Sequence, residues 1–254
     1  MQKPLLSLKN ITYAYHTFQG ETPVLNNISF DIYPGEFVSI VGPSGSGKST
    51  LLSLITGLLT PEEGEIKYSA EKECETTRLG YMLQKDHLFE WRSVWDNSIL
   101  GLEITGTLNA ANKTYIEKLL KEYGIWEFRD QKPSELSGGM RQRVALIRTL
   151  AIHPNLLLLD EPFSALDYQT RLNVSADIGH IIRNSQKTAL LITHDLAEAI
   201  SLSDRILVFA SRPAIIKADI PIHLTTTDNH PLAARNAPEF NSYLSFLWKE
   251  LSDE

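Results

Sequence analysis

The chain has 254 residues, of which 43% are hydrophobic and 22% charged, with a formal net charge of -7. That composition supports one large buried core with room for a sub-domain, and the acidic balance argues against nucleic acid as the main partner, because phosphate backbones select a basic face. The lone cysteine, Cys74, excludes an intrachain disulfide; the N-terminal residues lack the apolar stretch of a secretion signal, and no apolar run approaches the roughly 20 residues that cross a bilayer.

Residues 5–15 alternate and are rich in β-formers, the pattern breaks at 19–23, and residues 24–32 resume strand character before the turn at Pro34-Gly35. Residues 36–41 read as a third strand. A glycine-rich stretch follows, then a helical pattern from Lys48 to about Leu58. Residues 60–64 make a turn, and 66–83 read as short strands around a polar insert at 69–77. From 86 to about 150 the character is helical, with Ile116, Leu119, Leu120 and Tyr123 on one face of the segment 108–123. This block separates the glycine-rich loop from the next buried strand, which predicts a helical sub-domain inserted into an α/β core. Strand 156–160, helix 168–184, strand 188–193, helix 196–202 and strand 205–209 then alternate. Such alternation predicts a parallel sheet covered on both faces. The tail, 225–254, ends in an amphipathic helical stretch at 240–251.

Residues 42–50 read Gly42-Pro43-Ser44-Gly45-Ser46-Gly47-Lys48-Ser49-Thr50. The run fits G-x-x-x-x-G-K-[ST] and lies between an expected strand and an expected helix, the context that gives the motif its meaning. Glycines let the backbone curl so that several N–H groups point at phosphate oxygens, and the helix start adds its positive dipole end. Lys48 would supply a full charge near the terminal phosphates, and the Ser49 hydroxyl is the expected Mg²⁺ ligand.

Four leucines at 156–159 are followed by Asp160-Glu161-Pro162. A carboxylate at the carboxyl end of a buried parallel strand sits where open α/β sheets bind ligands. Asp160 is placed to hold Mg²⁺. Glu161 is one residue on, where strand side chains diverge, and is the candidate general base for an attacking water. The other reading of this segment is an ordinary helix-capping turn.

Between these motifs stands Leu136-Ser137-Gly138-Gly139-Met140-Arg141-Gln142-Arg143. A serine and two glycines ahead of a helical run make a second anion-binding helix start. One terminal phosphate hardly needs two such cradles from the same chain, so this one is expected to serve a nucleotide bound to another copy.

Together with the phosphate loop, this segment resembles the signature of ABC transporter ATPases, and the resemblance spans residues 6–211 with the motifs in the family's order. It implies an α/β fold: a P-loop NTPase (RecA-like) parallel-sheet core with an N-terminal antiparallel β sub-domain and an inserted α-helical sub-domain. The core would take residues 1–85 and 156–215, the helical signature sub-domain 86–155, and a C-terminal extension 216–254. On the same resemblance Tyr15 stacks on adenine, Gln84 touches Mg²⁺ and the water, and Asp167, in Ser164-Ala165-Leu166-Asp167, belongs to the loop that crosses the dimer interface. Asp167 also reads as a helix N-cap. His194, at the end of a buried strand, resembles the switch histidine that contacts the terminal phosphate.

The implied chemistry is ATP plus water to ADP plus phosphate, with Mg²⁺ as cofactor and a head-to-tail dimer of two copies sandwiching two nucleotides. Ser137, Gly138 and Gly139 would act across that dimer. Leu88, Phe89, Trp91, Val94 and Trp95 form an apolar cluster after Gln84, expected to receive two integral-membrane permease subunits. This stretch, with Arg148-Thr149-Leu150-Ala151 and residues 199–213, is similar to the nitrate/sulfonate/taurine branch of bacterial uptake systems, although Phe89-Glu90-Trp91 departs from the Pro-Trp common there. That branch implies a peripheral subunit on the cytoplasmic face of the membrane, working indirectly with a solute-binding protein. Precursors of thiamine pyrimidine fit as solutes as well. A soluble ABC ATPase acting on nucleic acid or ribosomes is the alternative, and it is disfavoured by the acidic balance. An export motor is a third reading.

Overall fold

The computed structural model describes residues 3–18, 20–69, 77–226 and 231–252. Most of the polar insert anticipated at 69–77, Cys74 included, lies outside them. In chain order the elements are β1 (Leu6–Thr17), β2 (Gly20–Ile32), β3 (Phe37–Val41), α1 (Lys48–Ile55), β4 (Glu63–Tyr68), β5 (Leu79–Met82), α2 (Val94–Ile104), α3 (Ala110–Glu122), α4 (Gly138–Leu150), β6 (Leu156–Asp160), α5 (Tyr168–Asn184), β7 (Thr188–Ile192), α6 (Leu196–Leu202), β8 (Arg205–Phe209), β9 (Ile216–Pro221), α7 (Pro231–Ala234) and α8 (Phe240–Ser252). Compactness divides the chain into two units, Met1–Thr77 with Gly179–Glu254, and Arg78–Ile178.

In the first unit β1 pairs antiparallel with both β2 and β4, giving the order β2-β1-β4. This is the antiparallel N-terminal sheet that the family resemblance implies. The second sheet of this unit runs β7-β3-β8-β9. All residues of β3 and β7 are buried, and both neighbours of β3 run parallel to it. Strands covered on both faces read as continuous apolar runs, which is why Phe37–Val41 and Thr188–Ile192 show no alternation. Burying each such leucine, isoleucine or valine contributes about 1.5–3 kcal/mol relative to exposure.

One strand here escaped the sequence reading. β9 pairs antiparallel with β8, and its residues alternate between half-buried and exposed. Its run, Ile-Lys-Ala-Asp-Ile-Pro, is an edge strand: weakly apolar, charged on one side and closed by a proline. Arg205 secures it. Its Nη1 donates to Asp219 Oδ2 at 3.0 Å and its Nε to Glu36 Oε1 at 2.8 Å, while Nη2 donates to the Asp31 carbonyl.

The C-terminal stretch forms α8 as expected. Phe240 and Leu247 are buried, with Tyr243, Leu244 and Leu251 partly so, against Val41, Leu196, Ala199, Ile200, Ile206 and Val208. The extension is therefore part of this unit's core.

In the second unit β5 pairs parallel with β6, and β6 is buried throughout. Helix α3 turns Ile116, Leu119 and Leu120 inward, the face read from the sequence, and α4 buries Val144, Ala145, Leu146, Ile147 and Leu150. Gly101 of α2 is a close-approach glycine, since a Cβ there would lie 2.6 Å from Ile152 Cγ2. Asn97, fully buried, was not singled out in the sequence. Its amide nitrogen donates to the carbonyls of Phe89, Arg92 and Ser93, and its oxygen accepts the Phe89 N–H at 2.8 Å. One side chain thus holds the whole 89–93 segment, and its burial is repaid by full hydrogen bonding.

Candidate functional site

In the first unit the loop between β3 and α1 is shaped by backbone geometry that its glycines permit. Gly45 and Gly47 have φ of 78° and 86°. A Cβ on Gly47 would lie 2.6 Å from Val24 Cγ1, whereas one on Gly45 would meet nothing within 4 Å. Gly47 is thus pressed onto β2, and Gly45 faces open space. The N-cap of α1 is Gly47, which brings no side-chain cap, so the first-turn N–H groups receive no acceptor from the capping position.

Lys48 is buried and folds back over this loop. Its Nζ donates to the carbonyls of Gly42 at 2.9 Å and Pro43 at 2.7 Å and to Ser46 Oγ at 3.3 Å. Curled amides, an ammonium held over them and open space on the exposed side of Gly45 fit a polyphosphate. Ser44 and Ser49 are exposed and Thr50 half-buried.

Tyr15, at 41% exposure, lies edge-on to Tyr13 with centroids 5.1 Å apart, and its hydroxyl is 3.3 Å from Thr50 Oγ1. The structure therefore brings Tyr15 to the motif's last residue. His194 is exposed on the turn after β7. That turn is fixed by its neighbours: Thr193 Oγ1 donates to Glu198 Oε2 at 2.8 Å and accepts the Asp195 N–H at 3.0 Å, while Asp195 Oδ1 accepts the N–H groups of Ala197 and Glu198.

In the second unit Asp160 ends β6 at 7% exposure. Its Oδ2 accepts from the Tyr81 hydroxyl at 3.4 Å. Burial, followed by the negative charge of Asp160, pushes the Tyr81 hydroxyl up to about 12. Glu161 has a left-handed backbone, φ 44°, a conformation that costs a non-glycine residue about 1–3 kcal/mol and recurs at functional positions. Its Oε2 accepts from Gln84 Nε2 at 3.2 Å, and Gln84 also donates to Ser164 Oγ at 3.3 Å. Ser164 turns back onto the Glu161 carbonyl through its N–H at 3.2 Å and its hydroxyl at 3.0 Å. Gln84, Glu161 and Ser164 thus form one cluster. The strain at Glu161 had no signal in the sequence. Within this unit Gln84 and Asp160 carry oxygen donors of the hard kind that Mg²⁺ accepts.

Ser137 is the N-cap of α4, accepting the Met140 N–H at 3.3 Å, so the helix start inferred there is present. A Cβ on Gly138 would lie 3.1 Å from Leu166 Cδ2, and one on Gly139 3.0 Å from Thr170 Cγ2. The glycines let α4 start directly against the 166–170 segment. Asp167 caps α5, accepting the Thr170 N–H at 3.0 Å, and the Thr170 hydroxyl and amide hold its carboxyl below the usual range.

The apolar cluster after Gln84 divides. Leu88 and Val94 are buried within the second unit, so they belong to its own core and cannot form a docking face. This corrects the expectation placed on them. Trp91 is 73% exposed and stacks on Phe89, with centroids 4.7 Å apart and 13° between the planes. Among the described residues no helix is long and apolar enough to cross a membrane.

Residues 25–164 match the family model described as ABC transporter. The chain is 44% identical over 97% of its length to an uncharacterized ABC transporter ATP-binding protein, YtlC, of Bacillus subtilis, covering 95% of that protein. It is 38% identical to the nitrate import ATP-binding protein NrtD of Synechocystis over 94% of this chain and 91% of the relative. The dimeric, post-hydrolysis ATP-binding cassette MJ0796, bound to ADP and Pi, superposes with a TM-score of 0.72 at 30% identity, covering 86% of this chain and 99% of that one. The chain belongs to the ABC transporter family, as an ATP-binding, ATP-hydrolysing subunit that groups with the nitrate and taurine import ATPases.

Proposed function

We propose that two copies of this chain close around two ATP molecules and drive uptake of a small anion, nitrate-, sulfonate- or taurine-like, through two permease subunits. The observation that carries the catalytic part is the contact between Gln84 and Glu161, with the glutamate held in a left-handed backbone. The dimeric, product-bound cassette to which the chain is similar supports the two-copy arrangement. The nitrate import relative supports the direction and the class of solute.

In this reading Gly42, Pro43, Ser44, Gly45, Ser46, Gly47 and Thr50 wrap the phosphates, and Lys48 exchanges its contacts with the loop carbonyls for phosphate oxygens. Tyr15 stacks on the base. Ser49, Asp160 and Gln84 hold Mg²⁺, which when bound neutralises charge on the transferring phosphoryl group. Glu161 accepts a proton from water aligned with the terminal phosphate, and His194 fixes that phosphate. Ser137, Gly138 and Gly139 of the second copy clamp the same group, with Asp167 beside them at the dimer interface. Hydrolysis removes the group that joins the halves, so nucleotide state becomes subunit separation. Trp91, exposed and backed by the half-buried Phe89, is the edge offered to a permease at the cytoplasmic membrane face, and a solute-binding protein delivers cargo on the far side.

The test is uptake. Cells whose chromosomal copy carries Lys48→Ala should lose energy-dependent accumulation of one of labelled nitrate, taurine or an alkanesulfonate while keeping the permease in the membrane. Unchanged uptake of all three rejects this class of solute.

A further inference from the structure

Asp86, two residues beyond Gln84, is the meeting point of two arginines from α4. Its Oδ2 accepts from Arg141 Nε at 3.1 Å, and its own carbonyl accepts from Arg148 Nη2 at 2.5 Å. Arg148 Nη1 reaches the next carbonyl, that of His87, at 2.7 Å, and the remaining carboxylate oxygen, Oδ1, accepts the Leu88 N–H at 3.2 Å. His87 itself has a left-handed backbone, φ 45°, a conformation that persists where the surroundings over-determine it. Two carbonyls gripped by one guanidinium, with a carboxylate gripped by another, are such surroundings.

Arg141 does not stop at Asp86. Its Nη1 donates to the carbonyl of Leu136 at 3.0 Å, the residue immediately before Ser137, and its Nη2 lies 3.9 Å from where a Gly138 Cβ would be. The guanidinium is planar, with its donors in a fixed fork. Anchoring one edge of that fork on a carboxylate therefore fixes where the other edge points.

We infer that Asp86 is a positioning residue for the signature segment: through Arg141 it sets the place of the Leu136 carbonyl, and with it the orientation in which Ser137 and Gly138 are presented to a second copy. Two features favour this over a merely structural ion pair. The pair is about a quarter to a third exposed, a setting in which an isolated salt bridge contributes little to stability. Its geometry also ends at the one carbonyl that borders the signature serine. The inference rests on the two-copy reading proposed above.

The experiment uses the hydrolysis-blocked Glu161→Gln chain and reads ATP-dependent dimerisation by analytical ultracentrifugation, with affinity of the monomer for a fluorescent ATP measured alongside. Asp86→Asn and Arg141→Ala are each expected to weaken the dimer by about tenfold or more, and the double variant no further than the worse single, as in a coupled pair. Monomer affinity for the nucleotide should change by less than about twofold, because the first-unit loop is untouched. Ser137→Ala serves as the control for the reading beneath. If Ser137→Ala weakens the dimer and Asp86→Asn does not, the role of Asp86 is refuted and the two-copy reading stands. Fully additive effects of Asp86→Asn and Arg141→Ala also refute it. A parent that stays monomeric with ATP, or a Ser137→Ala variant as tight as the parent, overturns the two-copy reading and the inference together.

Discussion

Gln84 Nε2 donates to Glu161 Oε2 at 3.2 Å, so the amide two residues beyond β5 and the carboxylate that follows β6 are held as a pair. The base role proposed for Glu161 needs a carboxylate held in place, and the left-handed backbone there, with Ser164 bonded back to its carbonyl, restrains it. Glu161→Gln keeps the shape and removes the proton acceptor. Its kcat should fall by about 10²–10⁴ with ATP still bound. Gln84→Ala should leave Glu161 in place but less constrained, lowering kcat by about 10²-fold or less. Steady-state kinetics with a binding assay separate the two, and normal turnover in Glu161→Gln removes it from the base role.

The loop before α1 makes a different demand. Gly47→Ala would place a Cβ at φ 86° and 2.6 Å from Val24 Cγ1. The left-handed backbone costs an alanine about 1–2 kcal/mol, and the overlap adds about 1–3 kcal/mol of overpacking. The expected result is a lower melting temperature together with lost nucleotide binding. Gly45→Ala carries the backbone strain without the overlap and should melt closer to the parent. Equal melting temperatures for the two alanine variants would show that the β2 contact is unimportant. Lys48→Ala should abolish ATPase activity while leaving the loop backbone free of both penalties.

How far these features were legible follows from their range along the chain. The phosphate loop, the leucine run ending at Asp160 and the Ser-Gly-Gly helix start are local, so residue types at fixed spacing carry them. Leucines at 156–159 announce a strand buried on both faces because no alternation is needed there. The strain at Glu161 and His87 is set by groups 3 and 61 residues away, Ser164 and Arg148, and leaves no mark in a local pattern. Asn97 reads as an ordinary polar helix residue until its bonds to Phe89, Arg92 and Ser93 are seen. β9 was missed because an edge strand needs only half its residues apolar. Leu88 and Val94 were misread for the converse reason. An apolar cluster after a nucleotide sensor has the same composition whether it packs inward or outward.

That division of the cluster yields opposite expectations for neighbouring residues. Leu88 is 7% exposed, and Leu88→Ala should destabilise the chain by about 2–5 kcal/mol through a buried cavity, visible in denaturant unfolding. Trp91→Ala removes a ring that is largely exposed but stacked on Phe89, and should change folding stability by about 1 kcal/mol or less. Its effect belongs in the assembled transporter, where it should weaken association with the permease and leave the ATPase activity of the free subunit intact. A Trp91→Ala subunit that still co-purifies with its permease at the parent's yield places the docking edge elsewhere.

Tyr81, bonded to Asp160, answers to alkaline pH. Its hydroxyl is pushed up to about 12 by burial first and by the charge of Asp160 second, whereas a tyrosine in an unfolded chain titrates near about 10. Between those values the folded chain keeps a proton that the unfolded chain has lost. Stability therefore falls as pH rises through this window; the contribution is whole below about 10 and gone above about 12. Phenylalanine has no proton to lose, so Tyr81→Phe should flatten the decline in melting temperature between pH 9.5 and 11.5, on the order of the two-unit window. At neutral pH the same variant should hydrolyse ATP nearly as the parent does, since the 3.4 Å bond to Asp160 is long and the ring still fills its place. Identical alkaline slopes for parent and variant would mean that Tyr81 ionises no later in the folded chain than in the unfolded one, and that the Asp160 carboxylate does not act on it.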